Sequence, residues 1–214
     1  MKHPRFITFE GIDGAGKSTH VQACVDWLRA QGQRVVLTRE PGGSDLAEGI
    51  RHWLLNHEMT VQTEALLAFA ARSDHLSRVI RPALAEGAWV LCDRFTDSTI
   101  AYQGPGLGAE GQRLSMLEDW VHGDLKPGRT YYFDLPPALA AERRAAVRQA
   151  DRFEARDIEY FEQVRQGYHA RIEADPGRFL VLDSRKPREV IATGLLADLA
   201  AFFRQRPMQE PLET

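Results

Sequence analysis

Gly11-Ile12-Asp13-Gly14-Ala15-Gly16-Lys17-Ser18 is the stretch whose reading decides the fold. It satisfies the pattern Gly, four residues, Gly-Lys-Ser at every fixed position. The apolar run Phe6-Ile7-Thr8-Phe9 precedes it and a helix-compatible run from Lys17 to Ala30 follows. That strand–loop–helix setting is the one a phosphate-binding loop needs. Glycines at 11, 14 and 16 permit backbone conformations that a Cβ penalises, so successive N–H groups can turn toward one anion. The helix N-terminus adds the positive end of its dipole. Lys17 can then reach the outer phosphates of a nucleoside triphosphate, while Ser18 offers its hydroxyl to Mg2+.

Outward from this loop, strand and helix patterns alternate, which predicts a parallel sheet wrapped by helices. Val21, Val25 and Leu28 form an apolar stripe that ends at Gly32, and residues 34–38 form a second strand. After the turn Arg39-Glu40-Pro41-Gly42-Gly43, Ser44 is placed to cap a helix with Leu46, Ile50, Trp53 and Leu54 on its core face. Residues 62–86 predict one long helix stopped by Gly87, and residues 88–93 a buried strand ending in Asp93. Residues 97–103 read as helix, and Gly104-Pro105-Gly106-Leu107-Gly108 as loop. Strands at 130–135 and 178–183, with helices at 110–122, 158–174 and 188–204, complete the pattern. Residues 1–204 therefore read as a single domain, with an Arg-rich lid at about 138–156 and a tail at 205–214.

Composition narrows the class. A hydrophobic fraction of 43% supplies a sizeable core, and a net charge of −3 supplies no general attraction for nucleic acid. Of 27 basic residues only Lys2, Lys17, Lys126 and Lys186 are lysines. Arginine suits planar phosphate recognition, although coding bias explains such a skew equally well. Cys24 and Cys92 form neither a disulfide framework nor a metal knuckle. No apolar run approaches the roughly 20 residues needed to span a bilayer. Met1 to Arg5 leads directly into a strand rather than a signal peptide, so a cytoplasmic protein with no membrane partner is expected.

Further stretches carry chemistry. The chain has no Asn-Lys-x-Asp guanine-reading motif, which argues against a GTPase. Asp93-Arg94 falls at the carboxyl end of the third strand, where ligands bind in open α/β sheets. Asp93 can hold Mg2+ or orient the attacking oxygen, and Arg94 can clamp a second phosphate; a structural ion pair is the alternative. Arg39, on a rigid Pro-Gly turn, can accept a phosphate or can simply be solvated. Phe69 and Arg72 lie one turn apart on a helix face, so a base can stack on Phe69 while Arg72 donates to its edge. A core role for Phe69 is the competing reading. Arg143, Arg144, Arg148, Arg152 and Arg156 crowd one segment. They read as lid arginines that close over a triphosphate, or as a solvated face neutralised by nearby acids.

Together these pieces resemble the bacterial thymidylate kinases, over about Phe6 to Leu199. The markers are Phe-Glu-Gly-Ile-Asp-Gly-Ala-Gly-Lys-Ser-Thr (9–19), Thr-Arg-Glu-Pro-Gly-Gly (38–43), Phe-Ala-Ala-Arg (69–72), Asp-Arg-Phe-Thr-Asp-Ser-Thr (93–99) and Ala-Tyr-Gln-Gly (101–104). The resemblance implies a P-loop fold with a five-stranded parallel sheet, a homodimer, and transfer of the ATP γ-phosphate to dTMP with Mg2+. It implies that Gly11, Ile12, Asp13, Gly14, Ala15, Gly16, Lys17, Ser18 and Thr19 bind ATP, and that Ser18 and Asp93 serve the metal. Asp13 would also meet the acceptor, Arg39 and Arg94 would hold its phosphate, and Phe69 would stack on thymine. Arg72, Ser98, Thr99, Tyr102 and Gln103 complete that pocket, with Tyr102 crowding the 2′ position. Lys17, Asp93 and Arg94 are the expected catalytic groups. Some relatives carry a catalytic Arg within the loop; here that position is Gly14, so the lid must supply it, through Arg148 or Arg144, with Arg143 against adenine. Ala68 stands where some relatives place the stacking aromatic, and the loop 104–108 lacks the Arg that many relatives have. Two other readings stay open at this level: a different small-molecule kinase, such as a deoxynucleoside kinase, and a nucleotide-dependent switch protein without transfer activity.

Overall fold

The computed structural model of the chain describes residues 2–145, 153 and 156–205. Strand β1 (Lys2–Glu10) is the middle of a five-stranded parallel sheet in the order β2-β3-β1-β4-β5. Its second half, Phe6 to Glu10, is entirely buried, as both faces of a central parallel strand must be. Strands β3 (Trp89–Asp93) and β4 (Lys126–Asp134) flank it, while β2 (Val35–Arg39) and β5 (Phe179–Asp183) close the edges. Register pairs Phe9 with Asp93 and Asp93 with Arg39. Glu10, Arg39 and Asp93 therefore meet at one carboxyl edge.

Alternation along β1 divides the core into two layers. Ile7 and Phe9 pack with Val21, Cys24, Val25 and Leu28 of α1 (Lys17–Ala30) and with Ile191, Leu195 and Leu199 of α9 (Arg188–Arg204). Phe6 faces the other way, toward Leu76, Ile80, Leu84, Val90 and Phe95. Among the described residues no helix is long and apolar enough to cross a membrane.

Three local expectations change in the structure. Helix α2 (Asp45–Asn56) is capped by Ser44, whose hydroxyl accepts from the Ala47 N–H at 3.4 Å, but it buries Ala47 and Leu54. Leu46 and Trp53 point outward, 57% and 56% exposed. The helix packs against α3 (Val61–His75) rather than lying flat on the sheet, so its buried stripe is narrow. The expected long helix is broken: α3 passes through a π-helical turn (Leu76–Ile80) into the short α4 (Arg81–Ala85). Pro82 has no N–H for a bond to the carbonyl four residues back, and a widened turn accommodates it. Finally, the expected loop after α5 (Thr96–Ala101) is a second π-helical turn, Tyr102–Gly106. Helix α8 (Ile158–Ala174) lies so close to it that a Cβ on Gly167 would sit 2.8 Å from Ala101 Cα.

Helices α5, α6 (Gly111–His122) and α8 are tied to the sheet by a buried ion cluster. Asp97, fully buried, accepts from Arg178 Nη1 and Nη2 at 2.6 and 2.9 Å and from Arg171 Nε at 2.7 Å. Arg171 also donates to both oxygens of Glu118, and Arg178 to Thr130. Burial alone would raise the Asp97 carboxyl, but the two guanidiniums outweigh it and hold it at about 2. Replacing Asp97 by Asn leaves buried guanidinium charge without its counterpart, an expected loss of about 3 kcal/mol. For a chain of this size that lowers the thermal midpoint by roughly 6–12 °C. Because the folded carboxyl lies below its ordinary value of 3.8, its contribution is complete above that value and is lost as pH falls toward 2. Circular-dichroism melts should show a steeper acid dependence in the native chain than in Asp97→Asn, where the other paired carboxylates still titrate; equal midpoints would remove the cluster from the stability account.

Candidate active site

The phosphate loop leaves β1 through Gly11, whose φ of 135° and close approach to β4 admit no side chain: a Cβ there would lie 2.5 Å from the Phe133 carbonyl oxygen. The loop ends at Gly16 (φ 84°), which starts α1 without a side-chain cap. Lys17 is buried and folds back across the loop, its Nζ donating to the carbonyls of Gly11 (2.8 Å) and Ile12 (3.1 Å). Burial, with Arg94 nearby, pushes the Lys17 ammonium pKa down, and Asp13 and Asp93 act against that. Ser18 and Thr19 are exposed on the first turn of α1.

Two cavities open beside this loop. Ser18 and Asp93 line one together with Arg39 and Glu48. The Asp93 Oδ1 is buried there without a hydrogen-bond partner. Among the described residues no group of three or more His, Cys, Asp or Glu is gathered to hold a metal. A hydroxyl and a single carboxylate are the donor set that suits Mg2+ bound chiefly through substrate phosphates.

The second cavity is lined by Asp13 and by four arginines, Arg39, Arg51, Arg72 and Arg94, with Leu54, Leu55, Ala68, Tyr102 and Phe153 supplying apolar wall. Arg94 has φ 67°, left-handed backbone found at no other non-glycine residue among those described. Its N–H donates to the Phe9 carbonyl at 2.9 Å, and its Nη1 donates to Ser98 Oγ (3.2 Å) and Tyr168 OH (3.3 Å). Its Nη2 stands 3.0 Å from Asp13 Oδ1, without hydrogen-bond alignment. The guanidinium also lies over the Tyr102 ring, 5.3 Å from its centre. Glu10, at the end of β1, is wholly buried behind these hydroxyls. Burial and then the charge of Asp97 push its carboxyl up to about 8, against the pull of Ser98, Arg94 and the Phe95 N–H.

Arg72 is fixed on three sides. Its Nε donates to Glu40 Oε2 and its Nη2 to Thr99 Oγ1, both at 2.7 Å, and its guanidinium sits 5.0 Å from the Phe69 ring centre and 5.1 Å from that of Phe95. Glu40 is held in turn by His75 Nδ1 at 2.9 Å, and His75 Nε2 meets Thr38 Oγ1 at 2.7 Å. Arg72 Nη1 is left buried with no partner, at the cavity wall. Gln103 lines the cavity while donating to Glu64 at 2.7 Å.

The structure brings Asp13, Arg39, Asp93, Arg94, Arg72, Ser98, Thr99, Tyr102 and Gln103 to this one cavity. It does not bring Phe69 there. Phe69 is 1% exposed, packed with Ala65 and Leu114 and against the Arg72 guanidinium, and Ala68 takes the place at the cavity wall. One position along a helix rotates a side chain by about 100°, so the ring that was expected to stack on a base braces the arginine instead. Arg39 is exposed and paired with Glu48, a solvated contact of little strength that an anion can displace. Of the lid residues, Arg143, on α7 (Pro137–Ala145), donates from Nη2 to the Ser184 carbonyl at 3.0 Å, and Arg156 packs over the Tyr160 ring. The Arg144 side chain, Arg148 and Arg152 lie outside the described residues.

Sequence reasoning missed Glu10, Glu40, Arg51 and Tyr168. An acid ending an otherwise apolar central strand was a legible signal for Glu10. Arg51 and Tyr168 carry no such signal, since only folding brings their helices to the cavity.

A phosphate loop at the carboxyl edge of a parallel sheet, sharing Asp13 with a second arginine-lined cavity, defines the class: a P-loop kinase, with room for a donor and an acceptor. The family model for thymidylate kinase matches residues 9–194. The chain is 52% identical over 187 residues to the thymidylate kinase of Thiobacillus denitrificans, covering 87% of this chain and 92% of that protein. It is 50% identical to that of Bordetella petrii, covering 92% and 95%. The crystal structure of thymidylate kinase from Ehrlichia chaffeensis superimposes with a TM-score of 0.75 at 33% identity, covering 91% of this chain and 97% of that one. The chain belongs to the thymidylate kinase family.

Gly11→Ala should separate loop geometry from general stability. The left-handed strain and the clash with Phe133 cost on the order of 1–3 kcal/mol at the loop itself, enough to weaken a fluorescent ATP analogue about tenfold or more. Gly177→Ala, where a Cβ meets open space, serves as the control. Unchanged analogue affinity in Gly11→Ala would show that the loop does not set the donor site.

Proposed function

We propose that the chain is an ATP-dependent dTMP kinase that transfers the γ-phosphate of ATP to dTMP, giving dTDP and ADP. The observation that supports this most directly is that Asp13 belongs both to the phosphate loop and to the arginine-lined cavity, so donor and acceptor abut. ATP lies along Gly11 to Thr19, and dTMP fills the cavity with its phosphate on Arg94 and Arg39. Thymine reaches the unpartnered Nη1 of Arg72, and Tyr102 crowds the sugar. With Ala68 at the wall, the apolar surface against the base comes from Leu54, Leu55 and Phe153.

The reaction needs no covalent enzyme intermediate. An acceptor phosphate oxygen attacks the γ-phosphorus in line; one P–O bond forms as the bond to the ADP oxygen breaks. Catalysis is positioning of two anions and neutralisation of charge on the transferred group. Ser18 and Asp93 would hold Mg2+, which when bound offsets phosphate charge. Arg94 and Lys17 supply fixed positive charge at the junction, and the lid closes to exclude water. Arg148, with Arg144 as the alternative, is assigned the contact to the γ-phosphate. The two buried free thiols, Cys24 and Cys92, fit a reducing, cytoplasmic setting.

A coupled assay of ADP release tests the assignments. Arg94→Ala should raise the KM for dTMP at least about tenfold while leaving that for ATP within about twofold, since charged hydrogen bonds to one substrate are lost. Arg148→Ala should lower kcat about 100-fold or more with modest change in dTMP KM. Faster turnover of dCMP, AMP or GMP than of dTMP would overturn the substrate assignment.

We also propose that two copies associate through α2, α3 and α6. Helix α3 packs against both neighbours, and Leu46, Trp53, Leu66, Met116 and Trp120 on these helices are 56–82% exposed. Such apolar side chains grouped on adjacent helices suit a self-complementary two-fold contact. Sedimentation should give twice the 24.1 kDa chain mass, reduced to one chain by Trp120→Glu; a native monomer would refute it.

A further inference from the structure

Behind the acceptor arginine lies a group that the reaction does not touch. Glu10 Oε1 accepts from the Phe95 N–H at 2.8 Å, and Oε2 accepts from Ser98 Oγ at 2.5 Å and from Tyr168 OH at 3.3 Å. Ser98 Oγ and Tyr168 OH are 2.8 Å apart, so three oxygens form a closed triangle. Both hydroxyl oxygens also accept from Arg94 Nη1. Glu10 thus holds the Arg94 turn twice, once through the backbone of the next residue and once through the side-chain hydroxyls. We propose that Glu10 is a positioning residue for phosphate recognition: through Ser98 and Tyr168 it keeps hydroxyl lone pairs turned toward Arg94 and so aims that guanidinium into the acceptor cavity. The proposal rests on the reading of Arg94 as the acceptor-phosphate ligand.

Hydrogen counting gives the reason that a carboxyl is needed. With Glu10 ionised, the triangle's three edges share two hydroxyl hydrogens; with Glu10 protonated they share three. In neither state must a hydroxyl hydrogen point at Arg94. An amide in the same place breaks the count. With its nitrogen at the triangle it brings two hydrogens, leaving four for three edges, so one hydrogen must leave the triangle, and Arg94 Nη1 is the group that lies beside both hydroxyl oxygens there. With its nitrogen turned the other way it meets the Phe95 N–H, donor against donor. The substitution keeps the side chain's shape and changes only which atoms can accept.

Glu10→Gln is therefore the test, read by kinetics and by calorimetric binding of dTMP and of thymidine, which lacks the phosphate. A misaimed charge-assisted contact should weaken dTMP by about tenfold or more in Kd and KM, with thymidine Kd and ATP KM changed less than about twofold. Tyr168→Phe, which removes one of the two lone-pair donors, should shift the same ratio in the same sense by a smaller factor, and it carries the comparison if Glu10→Gln does not fold. Equal weakening of dTMP and thymidine, or no weakening of either, overturns the proposal. Failure of the underlying reading looks different: in Arg94→Ala the native preference for dTMP over thymidine would persist.

Discussion

The arginine-lined cavity depends on the left-handed turn at Arg94. A bulky residue avoids that conformation unless its surroundings impose it. Here the Phe9 carbonyl takes the Arg94 N–H, Glu10 takes the N–H of Phe95, and side chains from α5 and α8 meet the guanidinium. The strained turn lets a side chain from the end of β3 lie across the mouth of the phosphate loop, beside Asp13. A right-handed or extended residue would send it elsewhere.

Burying so much charge is costly unless each group has its partners. The fold meets that demand with linked pairs. Asp97 binds Arg178 and Arg171 below the site, Glu10 and the two hydroxyls sit beneath Arg94, and Glu40 fixes Arg72. Arg94 and Arg72 are thereby set in place before a ligand arrives. Preorganised charge of this kind is the main resource of phosphoryl transfer, because little covalent chemistry falls to the protein. Among the buried polar atoms of the described residues that lack a hydrogen-bond partner, Arg72 Nη1 and Asp93 Oδ1 belong to residues that line the two cavities.

Much of the fold could be read along the chain because local rules govern it. Helices α1, α8 and α9 run over the residues that periodicity and caps indicate. Where a helix packs chiefly on one neighbour, periodicity misled: Leu46 and Trp53 have the spacing of a core face and lie outside. The π-helical turns at 76–80 and 102–106 escaped notice because proline and glycine signal a break without saying what replaces it. Phe69 shows the same limit at the site. Its sequence neighbourhood suits a stacking residue, yet the rotation of α3 turns it toward Arg72 and leaves Ala68 at the wall.

By itself the sequence determined the phosphate loop, the alternation of strands and helices, and most of the residues that line the arginine-rich cavity. These follow from contacts between near neighbours: glycines that free the backbone, apolar periods, and acids or arginines at strand ends. Tertiary structure alone decided which distant residues meet. Tyr168 lies 158 residues from Glu10 and Arg171 lies 74 from Asp97, yet both complete buried polar groups on other elements. No spacing rule reports such partners, because the requirement that joins them, satisfaction of charge and hydrogen bonds away from water, acts only once the chain has folded.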